Sequence, residues 1–257
     1  MTTTGMPALN GKTVIVTGAA GGLGQAIAAH CLHAGARVAL LDRDPELLAQ
    51  CRRTLDAPDA LVLARACDVT DADATREAVE QTVARWGAIH ALVNNAATVT
   101  PGNKVADLTL EQWRQALDVN LTGAWLMSKH AIPHMARTGG GVVLNIASQL
   151  GSVAAPGRGA YGASKAGLIA LARAIAVDHG ADGIRGLSLS PGAVLTSRLV
   201  ARYGSAQAAS AALSAKYPAG RLGTAAEIAQ TAVFLISDAA SFITGADIRA
   251  DGGYTAL

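Results

Sequence analysis

Short apolar runs alternate along this chain with longer stretches in which apolar residues recur every three or four positions. The runs predict strands buried on both faces, and the longer stretches predict amphipathic helices. KTVIVTG (12–18) reads as a first strand and GGLGQAIAAHCLHAG (21–35) as a helix closed by Gly35. ARVALLD (36–42) and PELLAQCRRTL (45–55) repeat the pair, with Pro45 in the first helical turn. ALVLARACDV (60–69) predicts a third strand. DADATREAVEQTVARWG (71–87) predicts a helix with acidic residues at its start and Arg85 near its end, matching the helix dipole. A fourth strand, IHALVNNAA (89–97), precedes a long helix from about Leu110 to Arg137, interrupted or restarted at Gly123. GGGVVLNIAS (139–148), a helix over 161–180, IRGLSLSPG (184–192), a helix in TAAEIAQTAVFLIS (224–237) and a seventh strand in ADIRADGG (246–253) complete the pattern. Strands of this kind separated by helices predict an α/β fold, a parallel sheet of about seven strands covered on both sides.

No linker, repeat or low-complexity tract divides the 257 residues, so one domain over 1–257 is expected. The exception to regularity is 195–220, small and mixed in polarity; residues 195–217 are a candidate lid over a site. A net charge of +2 without a dense basic run gives nucleic acid or an anionic membrane little electrostatic purchase. Three cysteines, Cys31, Cys51 and Cys67, without CxxC spacing fit a reduced interior. The start, MTTTGMPALNGK, has neither a charged n-region nor an apolar h-region, and no apolar run is read as reaching membrane-span length. A cytoplasmic location is the expectation.

The chemistry begins where the first strand runs into TGAAGGLG (17–24) and then a helix. Gly18, Gly22 and Gly24 allow a tight turn and close approach of a pyrophosphate to the helix N-terminus, where Leu23 opens the helix. Asp42 closes the second strand, where a carboxylate can bind adenosine ribose hydroxyls and repel a 2′-phosphate. Arg43 pulls the other way, and the balance favours NAD over NADP. Asp68 and Val69, then Asn94 and Asn95, fall at strand carboxyl ends, where open α/β sheets bind ligands. Asn120 lies in the long helix and Ser148 follows the fifth strand. Tyr161 and Lys165, four apart, share a helix face in GAYGASKAG (159–167). A lysine beside a phenol favours the phenolate and lowers the phenol's pKa.

In these motifs the sequence resembles the short-chain dehydrogenase/reductase family in its single-domain form, from Gly11 to about Tyr254. TGAAGGLG matches the family's T-G-x-x-x-G-x-G and NNAA its N-N-A-G. Asn120, Ser148 and YGASK match its Asn-Ser-Tyr-Lys tetrad; PGAVLT matches P-G-x-x-x-T, and ITGADIRADGG the closing T-G-x-x-x-x-x-D-G-G. Departures are Ala97 in place of a frequent Gly, Gly186 and Leu187 where I-R-V-N is common, and Gly21 where many NADP-dependent members are basic.

The resemblance implies a Rossmann-like doubly wound sheet and a hydride-transferring enzyme, usually a homotetramer. It implies that Tyr161 exchanges a proton with the substrate oxygen and that Ser148 donates a hydrogen bond to the same oxygen. Lys165 lowers the tyrosine's pKa and holds the nicotinamide ribose, and Asn120 holds a water that links Lys165 to solvent. Cofactor contacts would add Pro191, Gly192, Val194 and Thr196 to Gly18, Gly22, Leu23, Gly24, Asp42, Asp68, Val69, Asn95, Tyr161 and Lys165. Interfaces would come from helices around 110–137 and 161–180 and from the stretch DGGYTAL. The expected activity is NAD-dependent interconversion of a secondary alcohol and its ketone. Ser148, Gln149, Leu150, Ala193 and Arg198 are candidate substrate contacts beside Tyr161. Gln149 leans toward a polyol, sugar or cyclic alcohol, and Arg198 toward an anionic group. An NADP-dependent 3-oxoacyl thioester reductase and a non-catalytic nucleotide-binding scaffold stay open beside it. His130 and His134, four apart, lack a third ligand at useful spacing, so no metal is expected.

Overall fold

The computed structural model describes residues 8–99 and 101–256. The N-terminal stretch read above for a signal, through Pro7, and Leu257 of DGGYTAL lie outside the described residues. Seven parallel strands form the central sheet: β1 (Thr13–Thr17), β2 (Arg37–Asp42), β3 (Val62–Ala66), β4 (Ala91–Asn94), β5 (Gly141–Ile146), β6 (Ile184–Pro191) and, last in the chain, β9 (Asp247–Ala250). Their order is β3-β2-β1-β4-β5-β6-β9. The chain winds outward from β1 to β3, then returns to β4 on the other side of β1. That reversal leaves a crevice at the carboxyl ends of β1 and β4. Two short strands, β7 (Val194–Leu195) and β8 (Gly223–Thr224), pair apart from the sheet.

Alternation along each strand divides the core. Val14 and Val16 face one layer and Ile15 the other; Val142 and Leu144 face the first and Val143 the second. The first layer is closed by α1 (Gly22–His33), α2 (Pro45–Thr54) and α9 (Ala225–Ile236), which supply Ile27, Leu48 and Val233. The second is closed by α3 (Ala72–Trp86), α5 (Gly123–Arg137) and α6 (Gly159–His179), which supply Val79, Met127 and Ile175. Burying each such side chain fully stabilises the fold by about 1.5–3 kcal/mol. All three cysteines are buried, and burial pushes the Cys31 thiol up to about 12 and Cys67 to about 11.

Two elements differ from the sequence reading. The long helix over 110–137 is α4 (Leu110–Leu117), a π-helical turn over Asp118–Thr122, and α5, joined without a break. Gly123 does not end a helix. It lets α5 approach β3's exit loop, where a Cβ would stand 2.6 Å from Val69 Cγ2. The helical segment Gly159–Asp182, by contrast, is long and apolar enough by length and composition to cross a membrane, contrary to the expectation that no run is. It lies on the sheet, with Leu168, Ile169, Ala172 and Ile175 buried and Ala163, Ala166, Ala170 and Ala174 facing outward. Gly186 explains its own departure: a Cβ there would collide with the Ala172 carbonyl, so glycine lets α6 lie close on β6.

Candidate active site

β1 ends at Thr17, whose hydroxyl accepts from the backbone N–H groups of Asn95 and Ala96, 3.0 Å each, at the exit of β4. Asn95 Nδ2 donates to the carbonyls of Thr17 and Gly18, 3.0 Å each. The two strand exits are thereby clamped into one shelf. Gly18 turns with φ +61° and Ala96 Cα would stand 2.8 Å from any Cβ there. A Cβ on Gly24 would collide with the Gly18 carbonyl. The shelf thus presents bare backbone at the N-terminus of α1, the chemistry that binds phosphate groups. Asp42 accepts from Ala20 N–H at 3.0 Å and Asp44 N–H at 3.2 Å, so its carboxylate is fixed at the rim. Asp44 itself caps α2, accepting from Glu46 and Leu47 N–H.

Shelf and rim open into a cleft of about 680 Å³. Gly18, Gly22, Leu23, Gly24, Asp42, Asp68, Val69, Asn95, Pro191, Gly192, Val194 and Thr196 all line it, as do Ser148, Tyr161, Lys165 and Arg198. A dinucleotide fits these residues: a cradle without side chains at the helix N-terminus, and a fixed carboxylate where adenosine ribose hydroxyls would lie.

The far end is made of side chains. Lys165 is 2% exposed and donates from Nζ to the Ile146 carbonyl at the end of β5, 2.7 Å away. Burial, with Arg198 adding to it, holds its pKa down to about 7. The ammonium lies 5.7 Å from the centroid of the Tyr161 ring. A hydrogen bond joins the hydroxyls of Tyr161 and Ser148. Ser148 Oγ also accepts from Leu150 N–H at 3.2 Å and so caps the short turn after β5.

The expected direction of the Tyr161 shift is corrected. Burial raises the phenol's pKa; the Ser148 hydrogen bond and the charges of Arg198 and Arg158 pull it down without overcoming that. Lys165 is not among the lowering charges, because burial takes much of its own charge near neutral pH and its Nζ turns to Ile146. Asn120 is 1% exposed and does not line the cleft. Its Oδ1 accepts from Thr98 N–H at 2.7 Å, and its Nδ2 donates to Thr98 O at 3.2 Å and Ser164 Oγ at 3.0 Å. It ties the loop after β4 to α6, one residue before Lys165. Gln149 and Leu150 do not line the cleft either. The Gln149 amide is buried and donates to Tyr217 Oη at 3.2 Å, which in turn accepts from Ala193 N–H at 2.9 Å. Gln149 Oε1 is buried without a hydrogen-bond partner among the described residues and lies beside Gly192, which lines the cleft; a Cβ there would stand 3.0 Å from it.

Sequence reading missed a polar chain behind the site. Asn94 Nδ2 donates to Asn145 Oδ1 at 2.9 Å, and Asn145 Nδ2 donates to the Leu168 carbonyl at 3.0 Å. This fixes α6 against β4 and β5 and so sets the height of Tyr161. Polar residues inside otherwise apolar strands were its only signal. Arg158, the N-cap of α6, was missed too; its place three residues before Tyr161 was the available clue.

A family profile described as Enoyl-(Acyl carrier protein) reductase matches residues 18–255. The chain is 37% identical over 260 residues to a 2,5-dichloro-2,5-cyclohexadiene-1,4-diol dehydrogenase of Sphingobium indicum, covering 98% of this chain and 100% of that one. It is 38% identical over 249 residues to a D-threitol dehydrogenase of Mycolicibacterium smegmatis, covering 96% and 94%. A short-chain type dehydrogenase/reductase from Mycobacterium ulcerans superposes with a TM-score of 0.92 at 33% identity, covering 97% of this chain and 91% of that one.

Proposed function

The chain belongs to the short-chain dehydrogenase/reductase family of NAD(P)-dependent oxidoreductases acting on CH–OH groups, and we propose that it interconverts a secondary alcohol and its ketone with NAD. The observation that carries this reading is the shared cleft. Tyr161, Ser148 and Lys165 face the same space as the glycine shelf and Asp42. Relatives named for a cyclic diol and a sugar alcohol favour a polyol, sugar or cyclic alcohol as the substrate.

The cofactor, when bound, supplies the hydride acceptor or donor. Gly18, Gly22, Leu23 and Gly24 would hold its pyrophosphate, and Asp42 its adenosine ribose. Asp68, Val69, Asn95, Pro191, Gly192, Val194 and Thr196 would line the remainder. Tyr161 exchanges a proton with the substrate oxygen at its hydroxyl. Ser148 Oγ donates to that oxygen and stabilises the charge that develops on it. Lys165, poised near neutrality, can give and take a proton at Nζ and favours the phenolate when charged. Asn120 is a positioning residue, holding the Thr98 loop and α6 together. A homotetramer is part of this reading, and the exposed apolar side chains of Leu110, Trp113 and Trp125 on α4 and α5 would supply a contact face between copies.

The test is a panel of sugars, polyols and cyclic alcohols, with NAD and with NADP, followed by reduced-nucleotide absorbance. Oxidation of a cyclic alcohol or polyol with NAD is expected. A strong preference for NADP would favour the 3-oxoacyl thioester reductase, the reading that Arg43 beside Asp42 supports. No turnover of any alcohol with either nucleotide would overturn the proposal.

A further inference from the structure

The exits of β1 and β4 are clamped by Thr17 and Asn95, and Asn120 ties the β4 exit to α6. The exits of β5 and β6 form other walls of the cleft. After β5 comes the turn Gln149–Gly151, capped by Ser148; after β6 come Gly192 and Ala193. One phenol reaches both. Tyr217 Oη accepts from Gln149 Nε2 at 3.2 Å and from Ala193 N–H at 2.9 Å. Tyr217 follows α7 (Ser197–Tyr203), α8 (Ala206–Leu213) and a short turn, Ser214–Lys216, the elements of the candidate lid. With Ala209 and Leu222 it makes a small core, packed by Leu199, Tyr203 and Leu213 and by Tyr254.

The ring is seated on two sides. Tyr254 lies against it, centroids 5.2 Å apart, and on another side a Cβ on Gly192 would stand 3.0 Å from Tyr217 Cε1. Asp251 fixes the stretch that carries Tyr254, accepting from Gly253 N–H at 3.1 Å, Thr255 N–H at 2.9 Å and Thr255 Oγ1 at 2.6 Å. The Gly252 carbonyl accepts from Ala219 N–H at 3.0 Å, two residues beyond Tyr217. Tyr217 does not line the cleft, and burial pushes its pKa up, so the phenol stays protonated near neutral pH. Ser148 Oγ accepts from Leu150 N–H, so the orientation of the turn is the orientation of the hydroxyl that meets the substrate. A misplacement of about 1 Å at such a group costs on the order of 10²-fold in rate. We infer that Tyr217 is a positioning residue: through Gln149 it sets where Ser148 Oγ stands, and through Ala193 it locks the lid and the β6 exit to the same point. The inference rests on the oxidoreductase reading and goes beyond it, because Ser148 is then aligned only while the lid is seated.

The test uses Tyr217→Phe, Gln149→Met, the double variant and Val79→Ala, a cavity in the core beneath α3 that touches no cleft residue named above. Amide hydrogen exchange by NMR should accelerate about tenfold at Ala193 and Leu150 in Tyr217→Phe, and at Leu150 in Gln149→Met, as for one buried hydrogen bond lost. Single-turnover hydride transfer from the best alcohol of the panel should slow by about ten- to a hundredfold in both. Nucleotide affinity should stay near wild type, since the glycine shelf is untouched, and the pH profile should keep its shape, since Tyr217 exchanges no proton. The double variant should be no slower than Tyr217→Phe, as expected of two ends of one tether. Val79→Ala should leave exchange at Leu150 and hydride transfer as they are. Hydride transfer and Leu150 exchange unmoved in Gln149→Met, or equally changed in Val79→Ala, overturns the inference even where Tyr217→Phe fails to fold. Should the wild type turn over no alcohol, faster Leu150 exchange in the two variants keeps the tether and sinks the oxidoreductase reading alone.

Discussion

At the Gly18–Gly24 end of the cleft the backbone makes the wall, whereas at the Tyr161 end side chains make it. The first surface needs residues that are absent: a Cβ on Gly24 meets a carbonyl and a Cβ on Gly18 meets Ala96. Its tolerances are steric and local. The second needs residues that are present and held at a height: Lys165 by Ile146, Asn120 by Thr98 and Ser164, and α6 by the Asn94–Asn145 chain. Its tolerances are electrostatic and depend on elements far apart in sequence. Damage to the first end should therefore be read in nucleotide binding, and damage to the second in turnover and pH dependence.

Tyr161→Phe should give the largest effect, a loss of about 10²–10⁴ in kcat as expected for a removed general acid or base. Nucleotide affinity by fluorescence titration should stay near wild type; a variant that retains turnover would remove the distinction between the two ends. Lys165→Met comes next. Folding drops the Lys165 pKa from its ordinary 10.5 to about 7, so burial of the charged form costs the fold on the order of a few kcal/mol. The unfolded chain holds more protons between those two values, so wild-type stability gains from this group as pH rises through that window. The variant should be the more stable protein at pH 6, with a gap narrowing by about 1.4 kcal/mol per pH unit above pH 7. Urea melts at pH 6, 8 and 10 measure this, and parallel profiles would contradict it.

Gly24→Ala should weaken nucleotide binding at least about tenfold and destabilise the fold by about 1–3 kcal/mol, since the collision is with backbone. Asp42→Asn should reduce the ratio of NAD to NADP efficiency by about tenfold, equivalent to some 1.4 kcal/mol of lost discrimination. An unchanged ratio would move nucleotide selection away from the rim. The smallest effect lies outside both ends. Thr224 caps α9 in a reciprocal box with Glu227, and Thr224→Ala should cost about 1 kcal/mol in chemical denaturation without altering either binding or kcat.

The same division decides what the chain disclosed before folding. The strands were readable because both faces of β1, β2 and β4 are buried, so apolar runs suffice. The glycine turn was readable because it falls between an apolar run and a helical pattern. The partner of Gln149 was not: its amide nitrogen donates to Tyr217, 68 positions away, a contact that only the folded chain brings about. The direction of the Tyr161 shift also escaped, because four-residue spacing brings Lys165 near the ring but does not reveal how fully the lysine is buried.

The π-helical turn at Asp118–Thr122 has a further consequence. An extra residue in one turn shifts the rotational phase of everything that follows by about 100°, the angle a helical residue subtends. The segment therefore behaves as a gearbox between two shafts. α4 keeps its orientation toward α6, while α5 is free to present Met127, Ile132 and Met135 to the sheet on its own phase. Sequence drift on one side need not be matched by drift on the other, so the outer contacts of α4 can diversify without retuning the packing beneath Tyr161.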